Sequence, residues 1–179
     1  MVKKSKSSDG LWYSLALARI GLGFMLLWAF VDKLFGLGFA TCRDIQTNQV
    51  ARACSDAWVN GGSPTDGFLK FAAKGPMQDI YNGMVGNQFV SILFMVGLLL
   101  IGMALILGIG VKIAVASGTL LFLMMWSSVL PPENNPILDD HIIYIFTLLA
   151  IGFGNDNQRL GLGGRWSKQG LVKQYPILQ

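Results

Sequence analysis

Long apolar stretches alternate with short polar interruptions along this chain. Four stretches approach the roughly 20 predominantly apolar residues that a helix needs to cross the hydrocarbon core of a bilayer. They cover residues 12–34, 88–107, 111–130 and 137–153, the last being short with a polar start. Gly108-Ile109-Gly110 joins the second to the third almost without a loop, and residues 131–136 join the third to the fourth. Short links favour antiparallel neighbours. The pattern therefore predicts an all-α membrane protein, a four-transmembrane-helix bundle forming one domain over residues 1–179. In lipid every backbone polar group must be satisfied internally, which excludes isolated strands in the spans.

The polar segment 36–87 is too long to be a mere connector. "SPTDGFLKFAAKGP" offers Ser63 as a helix N-cap, Pro64 at the first helical position and Asp66 three residues after the cap. Gly75-Pro76 is the expected stop. Met77, Ile80, Tyr81 and Met84 then fall at i, i+3, i+4 and i+7, one apolar helical face. We read one or two short interfacial helices in this outer loop, the alternative being a solvated loop clamped by a disulfide.

Composition supports a bilayer as solvent. The chain is 53% hydrophobic and 13% charged, against about 25% charge in a soluble domain. The net charge of +4 comes from basic residues that flank apolar runs and form no single patch, so nucleic acid is not an expected partner. Lys3, Lys4, Lys6, Lys112, Arg159, Arg165, Lys168 and Lys173 would lie on one side of a four-span protein. Lys33, Arg43, Arg52, Lys70 and Lys74 would lie on the other, all at or beyond the end of the first span and within one long loop. The positive-inside rule then places both termini, and the tail 155–179, in the cytoplasm of a multi-pass plasma-membrane protein. The first apolar run is too long for a signal h-region and reads as an uncleaved span.

That orientation puts Cys42 and Cys54 on the outer side, where disulfides persist. A bridge between them is the simplest expectation. A free or redox-active pair stays open, although the spacing is not C-x-x-C.

Polar residues inside apolar runs carry the candidate chemistry. Arg19 lies well inside the first span, either as a functional group or snorkelling to headgroups. Asp32 and Lys33 close the same span, as site residues or as an interfacial helix end. "PPENNPILDDHIIY", residues 131–144, holds Glu133, Asp139, Asp140 and the only histidine, His141. Asn135-Pro136 is a helix-start signal, and acids suit a helix N-terminus. Asp140, Tyr144 and Thr147 fall at i, i+4 and i+7, a polar stripe entering the membrane. If the outer ends of the spans converge, Asp32, Lys33, Trp126, Glu133, Asp139, Asp140, His141 and Tyr144 share one level. Such a cluster would suit proton-coupled chemistry on a quinone headgroup, with imidazole and carboxylates exchanging protons. It would equally suit a static hydrogen-bonded plug. No metal is expected, because Asp139, Asp140 and His141 are adjacent on a helix and cannot converge on one ion. A bis-His haem needs a second histidine, and "GLGG" at 161–164 follows no strand, so a nucleotide reading fails. Ala114 with Gly118, and Gly97 with Gly102, are expected at close helix contacts.

These motifs carry a resemblance. "RIGLGFMLLWAFVDKLFG" (19–36), "GGSPTDGFL" (61–69), "MWSSVLPPENNPILDDHIIY" (125–144) and "GLGGRW" (161–166) occur in the order seen in the DoxX/DoxD family of small four-span membrane proteins. The resemblance covers nearly the whole chain. It implies a membrane subunit similar to that of thiosulfate:quinone oxidoreductase, with membrane quinone as co-substrate and no covalently bound cofactor. His141, Asp140, Asp139 and Glu133 become catalytic candidates, and Arg19, Asp32, Lys33, Trp126 and Tyr144 candidates for quinone binding. A second protein subunit or a homo-oligomer is implied as partner, beside the lipid bilayer. The competing reading is a non-catalytic anchor or assembly partner of a redox or oxidative-stress complex. A transporter is the weakest reading, because the sequence lacks an obvious inverted repeat and the broken central helices many transporters use.

Overall fold

The computed structural model describes residues 6–44 and 46–179. Lys3 and Lys4, part of the charge asymmetry above, lie outside the described residues. Helix α1 covers Lys6–Phe35, α2 Asp66–Phe71, α3 Gln78–Asn82, α4 Gln88–Leu107, α5 Val111–Ser128, α6 Asp140–Phe153, α7 Gly163–Trp166 and α8 Gly170–Gln174. Among the described residues the only extended pairing is an isolated bridge between Arg43 and Val50.

Among the described residues three helices, α1 (from Asp9 onward), α4 and α5, are long and apolar enough to cross a membrane. The fourth expected span is corrected. The helix begins at Asp140 rather than at Pro136, and its 14 residues cover about 21 Å at 1.5 Å per residue, short of a ~30 Å hydrocarbon core. The Asn-Pro signal is used locally instead: Asn135 Oδ1 accepts from the amides of Ile137 and Leu138, both at 3.0 Å.

The exposed surface of these helices is apolar. Leu17, Phe24, Leu93, Leu100, Leu120 and Phe146 are all more than half exposed, while Arg19, Asp32, Ser91 and Ser128 are buried. A water-soluble fold hides its large apolar side chains and shows its polar ones. The reverse distribution suggests contact with a lipid bilayer.

The chain divides into two compact units. The first comprises Met1–Met25, Leu100–Leu123 and Asp140–Gln179. Close helix contacts here form at small residues. A Cβ on Gly118 of α5 would lie 3.0 Å from Leu148 of α6 and 3.4 Å from Ile101 of α4. One on Gly23 of α1 would meet the Gly102 carbonyl and Ile106 at 2.9 Å. Gly118 thus behaves as the sequence suggests, and Gly102 is contacted through its carbonyl by a glycine that the pattern did not single out. The turn between α4 and α5 needs its glycines: Gly108 and Gly110 have φ of 71° and 64°, a left-handed conformation that a Cβ disfavours.

The second unit comprises Leu26–Leu99 and Met124–Asp139. Gly97 belongs here and has open space around it, so the close approach expected there does not occur. Residues 36–54 form a disulfide-closed loop, with Cys42 and Cys54 bonded and their Cα atoms 5.7 Å apart. Helix α2 starts at Asp66, later than the Pro64 signal, yet Ser63 Oγ still accepts from the Asp66 amide at 3.2 Å. Leu69, Ala73 and Tyr81 make a small core under α2 and α3, with Phe68, Met84 and Val85 packed against it. The Tyr81 hydroxyl donates to the Met124 carbonyl at 2.9 Å and shares a hydrogen bond with Ser127 at 2.7 Å, tying the segment to α5. Of the expected apolar face Tyr81 is buried and Met84 partly so, while Met77 is 40% and Ile80 58% exposed.

Candidate functional site

Among the described residues Arg19 and Asp32 are the two buried charged side chains, each 1% exposed. Neither is within salt-bridge distance of an opposite charge among the described residues. Backbone groups satisfy them instead. Arg19 Nη1 donates to the carbonyls of Leu105 and Ile106, the latter at 3.2 Å. Nη2 donates to those of Arg159 at 3.1 Å and Leu160 at 2.9 Å. The last four carbonyls of a helix have no partner within it, and the helix dipole makes that end negative. The guanidinium therefore caps α4 and fastens the segment after α6 to it. Arg19 Nε is buried without a partner.

Asp32 does the converse. Its carboxylate accepts from three successive amides, Phe39 at 3.1 Å, Ala40 at 2.8 Å and Thr41 at 2.9 Å. It thereby folds the chain leaving α1 back onto that helix. Lys33 projects over the Phe94 ring, 5.9 Å from its centroid, a cation–π arrangement.

The stretch 131–144 crosses the boundary between the two units. Trp126 Nε1 donates to the Ile137 carbonyl at 2.8 Å. Glu133 is exposed and pairs with Lys74 at 3.3 Å. These residues belong with Asp32, Lys33 and Asp139 to the second unit, whereas Arg19, Asp140, His141 and Tyr144 belong to the first. In the first unit the Phe122 ring lies 5.2 Å from Tyr144 and 6.1 Å from His141. Asp140 is exposed, and His141 and Tyr144 are half-buried. Thr147, the third member of the polar stripe, donates to the Ile143 carbonyl of its own helix at 2.8 Å. Arg19 does not join His141. Its acceptors follow the C-terminal end of α6, and His141 is in the first turn, about 18 Å from that end along the axis.

Two aromatic rings beside an imidazole, with a carboxylate next to it in sequence, can receive a planar ring and exchange a proton with it. Among the described residues no three His, Cys, Asp or Glu side chains gather as metal ligands.

Sequence reasoning missed Phe122, Gln158 and the amides of Phe39, Ala40 and Thr41 that Asp32 accepts from. Phe122 is one more Phe in an apolar run and carries no signal. Gln158 Oε1 accepts from the Gly163 amide at 3.1 Å, organising the glycines of "GLGG" around the Arg19 clamp. Only the coincidence of an intramembrane arginine with a glycine-rich tail hinted at it.

The fold and these contacts define a class: a helical protein with three membrane-length apolar helices and buried charges that bind backbone. No family model matches the chain, and no curated protein or solved structure matches it.

Proposed function

We propose that the chain is a DoxX/DoxD-type membrane subunit of a quinone-linked redox system, with thiosulfate as the candidate electron donor and a second subunit as partner. In this reading α6 completes a four-span bundle with the help of residues 137–139. Both termini lie in the cytoplasm, and the disulfide loop lies outside the plasma membrane. The observation that carries the reading is the grouping of Phe122, His141 and Tyr144 on α5 and α6. An aromatic face supports a quinone ring by stacking. His141 would hold the proton exchanged with a quinone oxygen, and the exposed Asp140 beside it in sequence would pass it to water.

A second reading is a non-catalytic anchor or assembly partner. The use of Arg19 and Asp32 on backbone groups favours it, since both then hold the fold and neither is free for substrate.

Quinone-analogue reduction by thiosulfate separates the two, measured in gently solubilised membranes and with the purified chain. The redox reading expects H141Q/D140N to abolish the activity while the melting temperature stays within a few degrees. Full activity in that double variant, or no turnover in either preparation, leaves the anchor reading, which in turn expects a partner protein to co-purify.

A further inference from the structure

The loop carrying the disulfide borders an open surface cavity of about 490 Å³ lined by Leu37, Gly38, Phe39, Arg43, Val50 and Arg52. This volume is within the range of small-molecule sites. Its walls are fixed in advance. The Asp32 carboxylate holds residues 39–41. The Ala51 amide donates to the Cys42 carbonyl at 3.0 Å and the Ala53 amide to Gly36 at 2.8 Å. Gly38 has a φ of 90° and a Cβ there would strike Val50, so the cavity floor needs glycine.

Its charge is one-sided. Arg43 Nε donates to the Gly38 carbonyl at 2.8 Å and Nη1 to Asn48 Oδ1 at 3.1 Å, which aims the guanidinium and leaves Nη2 without an acceptor among the described residues. Arg52 makes no hydrogen bond or ion pair among them. The nearest acid in sequence, Asp44, is turned onto the amides of Gln46 and Thr47, at 2.8 and 2.7 Å. Two cations thus border a cavity whose other side chains are apolar.

The cavity also follows directly on α1, whose last residue is Phe35. Trp28, Phe35 and Phe39 are all more than a third exposed, and Trp28 meets Phe39 edge-on at 5.1 Å. An exposed Trp toward the end of an apolar span, as Trp28 is, marks the headgroup level of a bilayer.

We propose that this cavity binds the headgroup of an anionic phospholipid, Arg43 and Arg52 holding the phosphate and Leu37, Phe39 and Val50 covering the start of the acyl chains. A planar guanidinium pairs phosphate oxygens two at a time, and the apolar wall distinguishes a lipid from a free anion. The inference rests on α1 crossing a bilayer and not on the redox reading.

The test uses the full chain in a neutral detergent, titrated with short-chain phosphatidylglycerol, short-chain phosphatidylcholine or inorganic phosphate, and read by thermal shift and by native mass spectrometry. Phosphatidylglycerol should bind well ahead of the other two. R52Q should weaken it roughly fivefold, the effect of about 1 kcal/mol per basic residue near an anionic surface, and R43Q/R52Q should abolish the preference. Arg52 holds nothing in the fold, so R52Q remains a fair test if loss of Arg43 disturbs the loop. Equal binding of the two lipids overturns the proposal, as does unchanged affinity in R52Q. Inorganic phosphate that binds as tightly and displaces the lipid assigns the cavity to a free anion and overturns it too. Retention of wild-type protein in carbonate-washed membranes reports separately on whether α1 crosses a bilayer.

Discussion

At the scale of single residues, the buried charges of this protein act on the backbone. A guanidinium carries five donors in a fixed fork, and Arg19 uses it to reach carbonyls from two separate chain segments. Glutamine keeps two donors and loses the charge. R19Q should therefore destabilise by about 3 kcal/mol, since buried carbonyls lose charge-assisted bonds worth about 1.5–3 kcal/mol each. Denaturant unfolding in detergent measures it, and an unchanged midpoint would show that water or lipid replaces the guanidinium. Asp66 gives a pH-dependent counterpart outside the spans. The Gly86 amide, at 2.9 Å, and the Ser63 hydroxyl, at 2.7 Å, hold its carboxyl below the usual carboxylate range. A depressed folded pKa means stability that is complete above the unfolded value of about 3.9 and is lost as pH falls through the folded one. The protection factor of the Gly86 amide should fall below about pH 4, and D66N should remove that acid step. Acid sensitivity that persists in D66N would place its origin elsewhere.

Among the elements, the loop over residues 36–54 rests on two independent ties. One is the disulfide, closing a separation of 12 residues. The other is the Asp32 carboxylate on three amides. Cross-linking a loop of this size restricts the unfolded chain by about 3 kcal/mol. Reduction should thus expose Arg43 and Arg52 to trypsin while α1 stays protected, because Asp32 still anchors the first turns of the loop. C42S/C54S should behave like the reduced protein, and D32N in that background should release residues 37–41 as well. Uniform resistance to trypsin after reduction would mean that Asp32 alone is sufficient. Helices α2 and α3 stand differently. They are too short to persist alone in water and depend on the Leu69, Ala73 and Tyr81 core and on the Tyr81 bonds to α5.

For the whole molecule, the inverted distribution of polar and apolar side chains decides the class. Charge-poor helices α4 and α5 were legible from residue type alone, and α4 has the bounds that hydropathy gives it. The disulfide was legible because two cysteines allow one pairing within a chain. The start of α6 was misread: Asn135-Pro136 looks like a cap, but its side chain turns the chain for only two residues before Leu138 and Asp139 continue outside the helix. Of the residues the sequence put forward, His141 and Tyr144 stand beside one ring, and that ring, Phe122, was not legible. Polar residues stand out in an apolar run, while Phe122 is indistinguishable from lipid-facing neighbours until α5 and α6 are packed.

The sequence by itself determined that this chain is helical and apolar enough for a bilayer, because hydropathy and the lack of charge are local properties that packing cannot reverse. It determined which residues were candidates for chemistry. Only the tertiary structure decided what those residues face. Arg19 meets the end of α4, Asp32 meets three amides of its own loop, and Phe122 stands beside His141 and Tyr144. A charge placed in an apolar helix must find partners, but the sequence does not say whether they will be substrate, another charge or backbone. That choice is made by segments 86 and 140 residues away from Arg19, which only folding brings within hydrogen-bond reach.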